Sequence, residues 1–303
     1  MKLTRRNVVG GAGIMAIGTM TGEPMVSARA ESKMSEQPFA VTTPTFVSKV
    51  GLKAKNADAL ASYYKDVVGL TEFSRNAGKI VLGAPDKPLF EIEQFSAARE
   101  DDPRSAGLYH TAFLLPTRAD LARWTRHAID RRIPIVGASD HFVSEAVYLT
   151  DPEGNGIEIY ADRPKEAWTW NGKHVNMGTV GLDVGNLLTE LKPDDKGWQA
   201  APELTAVGHV HLRVGSAPEA ESWWNENMNF DTVQSLGSNA VFLSTGGYHH
   251  HVGANSWQSR GAKHRDPDRT GLGWVEFQSS DAKEERTLED PWGNVIRILP
   301  IKV

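Results

Sequence analysis

The chain has 303 residues, 40% hydrophobic and 23% charged, with no cysteine and a formal net charge of −5. This composition excludes a disordered, collagen-like or disulfide-stapled protein, a thiolate nucleophile, a cysteine–zinc site and an iron–sulfur cluster. No basic run is long enough to follow a phosphate backbone, which argues against nucleic-acid binding.

At the N-terminus, Lys2, Arg5 and Arg6 precede a weakly apolar 13-residue stretch from Val8 to Met20, and Ala28-Arg29-Ala30 follows. A basic head, an apolar segment and a small-x-small exit predict a cleavable export signal over residues 1–30. The stretch is shorter than the roughly 20 apolar residues of a membrane span. Thr4-Arg5-Arg6-Asn7-Val8-Val9, ahead of a Gly-rich and mildly hydrophobic segment, resembles a twin-arginine signal, which implies export to the periplasm or beyond. Removing this +3 segment leaves a mature chain of −8, opened by a linker over 31–44. No later stretch approaches 18 apolar residues, so no membrane anchor is expected after cleavage.

Beyond residue 44 one pattern recurs. Val50-Gly51-Leu52-Lys53-Ala54 leads into Asn56-Ala57-Asp58 and then Leu60, Tyr63, Tyr64, Val67 and Val68, which reads as a strand, a polar N-cap and a helix. His110 to Leu115 enters a second helix from Arg118 that buries Leu121, Trp124, Ala128 and Ile129. His209 to Val214 leads through Ser216-Ala217-Pro218 into a third, with Ala220, Trp223, Trp224 and Met228. Gly273-Trp274-Val275-Glu276-Phe277 starts a degraded fourth copy without a helix.

Strand pairs follow these starts. Ala146–Thr150 turns at Asp151-Pro152-Glu153-Gly154-Asn155-Gly156 into Ile157–Tyr160. Ala240–Ser244 turns at Gly246-Gly247 into Tyr248–Val252, and Arg286–Leu288 turns at Asp290-Pro291-Trp292-Gly293-Asn294 into Val295–Leu299. Each unit reads βαβββ, an α+β fold, and two must pair before eight strands enclose a cup. In sequence the pairs divide as 45–163 and 205–303, around a polar, proline-containing crossover over 164–204.

Four phrases in this order resemble the vicinal oxygen chelate superfamily, which holds glyoxalase I, bleomycin-resistance proteins and extradiol dioxygenases. They are Gly107-Leu108-Tyr109-His110, Ser144 to Leu149, Asp151 to Tyr160, and Gly208-His209-Val210-His211-Leu212. Gly246-Gly247-Tyr248-His249-His250-His251, with Asn255-Ser256-Trp257 beyond, is similar to the bacterial catechol-2,3-dioxygenase branch. The resemblance covers about residues 45–303 and implies two cup-shaped mixed sheets built from four units.

It also implies that metal ligands begin a unit's first strand or sit on its last. The matching first-strand positions are Lys49, His110, His209 and Trp274; the last strands offer Glu158, one of the three consecutive histidines, and Arg297. Lys49, Trp274 and Arg297 are not ordinary ligands of a divalent cation, so units one and four read as vestigial. His110, Glu158 and His209 remain, the two-histidine, one-carboxylate face of non-haem Fe(II) oxygenases. Such a face requires unit two to pair with unit three, whereas pairing sequence neighbours would strand His209. Taken singly, each histidine reads first as a satisfied core or surface residue and Glu158 as the solvent side of an alternating strand; it is their joint placement at the family's ligand positions that points to a metal. His211, two residues beyond His209, is the competing ligand or a supporting neighbour.

Aligning the hairpins of units two and three, with a turn two residues shorter, puts His250 opposite Glu158 and facing the site, where the resemblance implies an acid-base role; the phase against His249 and His251 is left open. By the same resemblance Tyr148 touches a substrate oxygen and His141 lies over the substrate, each read equally as packing. Asn255 and Trp257 would line the mouth. The implied activity is extradiol cleavage of a catechol-type aromatic diol by dioxygen at Fe(II), with Mn(II) as a substitute. A redox-neutral isomerase or lyase of the glyoxalase kind, and a metal-free binding protein, are the alternatives. The implied partners are a small aromatic diol and dioxygen, with no nucleic acid and no membrane after signal cleavage; a homo-oligomer is left open.

Overall fold

A computed structural model describes residues 37–301. The expected export signal lies outside the described residues. Unit one is β1 (Thr45–Ala54), α1 (Ala57–Tyr63), β2 (Thr71–Asn76), β3 (Lys79–Ala84) and β4 (Lys87–Gln94). Unit two is β5 (Gly107–Leu114), α2 (Arg118–Arg131), β6 (Gly137–Asp140), β7 (Ser144–Thr150) and β8 (Gly156–Asp162). The crossover holds β9 (Trp170–Asn171), β10 (His174–Val175), β11 (Val180–Gly181) and the short α3 (Val184–Leu188). Unit three is β12 (Ala206–Arg213), α4 (Ala217–Met228), β13 (Asp231–Ser235), β14 (Ala240–Ser244) and β15 (Val252–Asn255). Unit four, without a helix, is β16 (Gly271–Ser279), β17 (Arg286–Glu289) and β18 (Val295–Pro300).

Local chemistry sets the helix starts. The side chains of Asn56, Thr117 and Ser216 each accept the backbone N–H three residues on, closing the first turns of α1, α2 and α4. The hairpin turns repeat as well. Asp151 accepts the amides of Glu153 and Asn155, and Asp290 accepts those of Trp292 and Asn294, with an asparagine amide bonding back each time.

The units pair out of sequence order. One sheet has seven strands, β17-β18-β16-β1-β4-β3-β2, and the other nine, β11-β6-β7-β8-β5-β12-β15-β14-β13. Antiparallel β1–β16 joins unit one to unit four, and antiparallel β5–β12 joins unit two to unit three. Segments 45–163 and 205–303 thus each give one unit to each sheet. One apolar core serves both sheets: Val50 and Leu52 of β1 belong to the same cluster as Val210 and Leu212 of β12. Burying a side chain of this size contributes about 1.5–3 kcal/mol. Because strand residues alternate, this commitment of the even positions of β12 turns His209, His211 and Arg213 into the cup.

The strand expected from Tyr248 begins only at Val252. Gly246 and Gly247 both take positive φ, 63° and 79°, and carry the chain through a turn before the ladder resumes. In the seven-stranded sheet the ligand-equivalent positions are filled by their own side chains. Arg297 stacks over Trp274 at 4.1 Å, Lys49 pairs with Glu276 at 3.5 Å, and the indole covers Gly51 so closely that an added Cβ would lie 2.3 Å from it.

Candidate metal centre

The centre is built from one row of residues across four strands. His209 on β12 is level with Ala112 on β5, Ala112 with Glu158 on β8, and Glu158 with Tyr148 on β7. His110 stands two residues before Ala112 and so shares its face. Neighbouring strands are about 4.8 Å apart, so His209 and Glu158 meet only because the residue between them is an alanine. Glu158 Oε2 lies 3.1 Å from His110 Nε2 and 3.2 Å from His209 Nε2, and the two nitrogens are 3.3 Å apart. All three side chains are buried. His209 Nδ1 has no hydrogen-bond partner among the described residues, so packing orients this ring, against Tyr160 at 5.0 Å and His250 at 4.1 Å. Gly208 makes that packing possible, since a Cβ there would sit 1.8 Å from the Tyr160 hydroxyl.

This donor set fits a divalent transition metal. Among the described residues, His110, Glu158 and His209 form one group whose ligand atoms all lie within 4.8 Å of one another. Two Nε2 atoms that both donate to Glu158 cannot also bond each other; a cation would use all three lone pairs. Edges of these lengths subtend about 100° at a point roughly 2.1 Å from each atom. That angle lies between the right angle of an octahedral face and the wider tetrahedral one, so the three donors occupy one side of an ion. Burial works against the charge on Glu158, yet the facing imidazoles hold its carboxyl well below the usual range. Burial pulls His209 down to about 4 against the attraction of Glu158. An anionic Glu158 and a neutral His209 are protonation states that metal ligation requires.

A cavity of about 680 Å³ opens onto the three donors, a size suited to a small ligand. Tyr109, Phe242 and Trp257 give it aromatic walls. Of the three consecutive histidines, His250 faces the cavity, the orientation expected from the hairpin alignment. All three are buried rather than displayed on an exposed strand. His251 points away, bonded to the Ala40 carbonyl at 2.9 Å and to Ser244 at 3.0 Å. His249 connects His250 to a carboxylate that the sequence did not reveal: its Nε2 is 2.8 Å from Asp162 Oδ1, and its Nδ1 is 2.8 Å from His250 Nδ1. Asp162 only accepts, so His249 donates from Nε2 and accepts at Nδ1. His250 then donates from Nδ1, which leaves its Nε2 bare as an acceptor. Burial holds His250 well below the usual histidine range, keeping the ring neutral.

Tyr148 and His141 also line the cavity. The Tyr148 hydroxyl lies 2.6 Å from His141 Nε2, while His141 Nδ1 lies 2.7 Å from the Gly178 carbonyl. The carbonyl receives the Nδ1 proton, so a neutral His141 meets the tyrosine hydroxyl through a bare Nε2, and the same hydroxyl also hydrogen-bonds the Glu158 carboxylate, which with burial raises its pKa. Gly178 belongs to the crossover, whose Met177 and Thr179 also line the cavity. His211 lines it too but stands outside the three-donor group, its ring 5.0 Å from that of His110. Trp257 is exposed at the cavity wall, whereas Asn255 is buried and absent from the lining.

Units paired out of order around a buried His–Glu–His face that could hold a metal ion define a glyoxalase-type protein. The chain belongs to the Glyoxalase/Bleomycin resistance protein/Dioxygenase superfamily, whose family model matches residues 47–159. It is 36% identical over 233 residues to the catechol-2,3-dioxygenase of Bacillus subtilis (strain 168), covering 75% of this chain and 80% of that protein. It is 28% identical over 142 residues to biphenyl-2,3-diol 1,2-dioxygenase 3 of Rhodococcus globerulus, covering 43% of this chain and 72% of that protein. Among solved structures, a putative dioxygenase from Bacillus subtilis superposes with a TM-score of 0.54 at 12% identity, covering 85% of both chains. Glyoxalase I from Zea mays superposes with a TM-score of 0.51 at 11% identity, covering 86% of this chain and 94% of that one. Both structural likenesses concern the fold.

Proposed function

We propose that this protein is a non-haem Fe(II)-dependent extradiol dioxygenase that opens the ring of a catechol-type diol, with Mn(II) as a workable substitute. One observation carries the reading: the His110–Glu158–His209 face lies in an aromatic-walled cavity beside a buried neutral histidine, His250. The 36% identity to a catechol-2,3-dioxygenase supports it. Held by these three side chains, the metal would give diol and dioxygen adjacent positions and pass electrons between them.

The conversion consumes one diol and one dioxygen. It breaks the ring carbon–carbon bond beside the diol and places one oxygen atom on each new end, so no external reductant is required. The protein's part is orientation and proton transfer. Nε2 of His250 takes a proton from the diol and returns it as the ring opens, while the Asp162–His249 pair holds the proton on Nδ1. The Tyr148 hydroxyl, set between His141 and the Glu158 carboxylate, hydrogen-bonds a substrate oxygen. The aromatic walls hold a flat ring and keep water from it.

Protein loaded with Fe(II) under anaerobic conditions and then given catechol in air tests the reading. Consumption of one dioxygen per diol with a yellow ring-fission product is expected. Bound metal without oxygen uptake would instead indicate an isomerase or lyase, and ligand binding without metal a sequestering protein. Export by the twin-arginine route is part of the proposal, resting on Arg5-Arg6 and the apolar stretch behind them. Replacing both arginines by lysine should keep the chain in the cytoplasm, and unchanged export would discard it.

A further inference from the structure

The face of β12 that carries His209 continues through His211 to Arg213, and all three line the cavity. Toward its far end two lining residues hold buried polar atoms with no hydrogen-bond partner among the described residues, His211 Nε2 and Arg213 Nε, and Asn255 Nδ2, behind the lining on the neighbouring strand, is a third. Arg213 and Asn255 are level across β12 and β15. Two of these atoms are obligate donors. A guanidinium Nε always carries its proton. The Asn255 amide is oriented by its Oδ1, which accepts the Trp257 N–H at 3.2 Å and leaves Nδ2 as the donating side.

The guanidinium is also held in place. Its Nη2 pairs with Asp101, and Gly107 leaves it room, since a Cβ there would approach Nη2 to 2.9 Å. A second buried guanidinium, Arg265, interacts electrostatically with Arg213, Asp101 and Asp290. Asp101 bonds Arg213 through Nη2, while Nε has no partner among the described residues.

Resting on the diol-cleavage reading above, we infer that this end of the cavity is a carboxylate subsite and that the preferred diol carries an acidic side arm. A carboxylate offers only acceptors, is planar and is negative, and so matches the guanidinium that lines this end, whose Nε, like Asn255 Nδ2 behind it, has no partner among the described residues. A plain catechol or an alkyl arm would leave these donors unsatisfied. Positions 209 and 213 are about 13 Å apart along the strand, so the acid hangs on an arm of several bonds rather than directly on the ring.

The test compares dihydroxyphenylpropionate with its primary amide, equal in shape and different in charge, on the Fe(II)-loaded protein. The acid should exceed the amide in kcat/KM by about tenfold or more. Arg213→Gln should remove most of that preference, lowering the acid far more than the amide. Arg213→Lys, which keeps a charge for Asp101 without the planar fork, should lose most of it too. Equal turnover of acid and amide by the unaltered protein, or an equal fall for both in Arg213→Gln, overturns the subsite. If Arg213→Gln does not fold, the ratio in the unaltered protein decides alone. If no diol is cleaved, the parent reading fails, and calorimetry with the non-diols phenylpropionate and phenylpropionamide decides the subsite. Tighter binding of the acid by about tenfold supports it, and equal affinities reject it.

Discussion

His250 owes its chemistry to two neighbours that never reach the cavity. Through His249, Asp162 settles which nitrogen of His250 is bare. His250→Phe should therefore keep its metal yet lose turnover by about 10²–10⁴-fold, the usual span of acid–base contributions. Asp162→Asn should leave metal content and KM unchanged while kcat falls by about tenfold, because an amide offers His249 a donor as well as an acceptor. Steady-state kinetics on metal-quantified protein separates the outcomes, and an unaltered kcat would detach Asp162 from the reaction. The three metal candidates were legible through the family resemblance, which places ligands at fixed points of the repeated units, whereas the phase of the three consecutive histidines stayed open. Asp162, the Gly178 carbonyl and Arg213 were not legible, because their roles arise from partners on other strands and turns that no periodicity marks.

At the scale of elements, β5, β8 and β12 work as one tool. The register His209–Ala112–Glu158 puts the smallest chiral side chain between two ligands, and His110 follows from the two-residue period of β5. Ala112→Leu should overpack this spot, lowering stability by about 1–3 kcal/mol and weakening metal binding by an order of magnitude or more. Metal titration alongside thermal melting checks this, and full-affinity binding would show that the gap over Ala112 is not needed. Periodicity placed the helices, which start from caps at Asn56, Thr117 and Ser216, but Ile129, expected to be buried by α2, is exposed near its C-terminal end. Periodicity also misplaced the strand after Gly246-Gly247, where two positive-φ residues delay the ladder until Val252. The pairing of unit two with unit three was not readable from periodicity at all. Only the need to bring His209 to His110 and Glu158 distinguished it from pairing by sequence order.

For the whole molecule, buried neutral histidines tie stability to pH. His251 donates to the Ala40 carbonyl from deep inside the fold, and burial depresses it to about 3 from the ordinary 6.5. Below pH 6.5 the unfolded chain takes up a proton that the folded chain refuses. Its contribution is complete above pH 6.5 and is lost as pH falls toward 3, at about 1.4 kcal/mol per pH unit. Melting curves between pH 7 and pH 4 should show a falling midpoint that His251→Gln makes shallower, whereas a flat profile would contradict the neutral burial. The two sheets share one core, yet only the nine-stranded sheet keeps a chemically open cup, the other being filled by Trp274, Arg297 and Lys49. The central claim is that two distant units build one mononuclear centre. Titrating metal-free protein with Fe(II) under anaerobic conditions tests it most directly. One ion per chain is expected, with binding abolished by His110→Ala, Glu158→Ala or His209→Ala and retained in Lys49→Ala, Trp274→Ala and Arg297→Ala. Unimpaired binding in His209→Ala, or loss of the ion in Trp274→Ala, would contradict it.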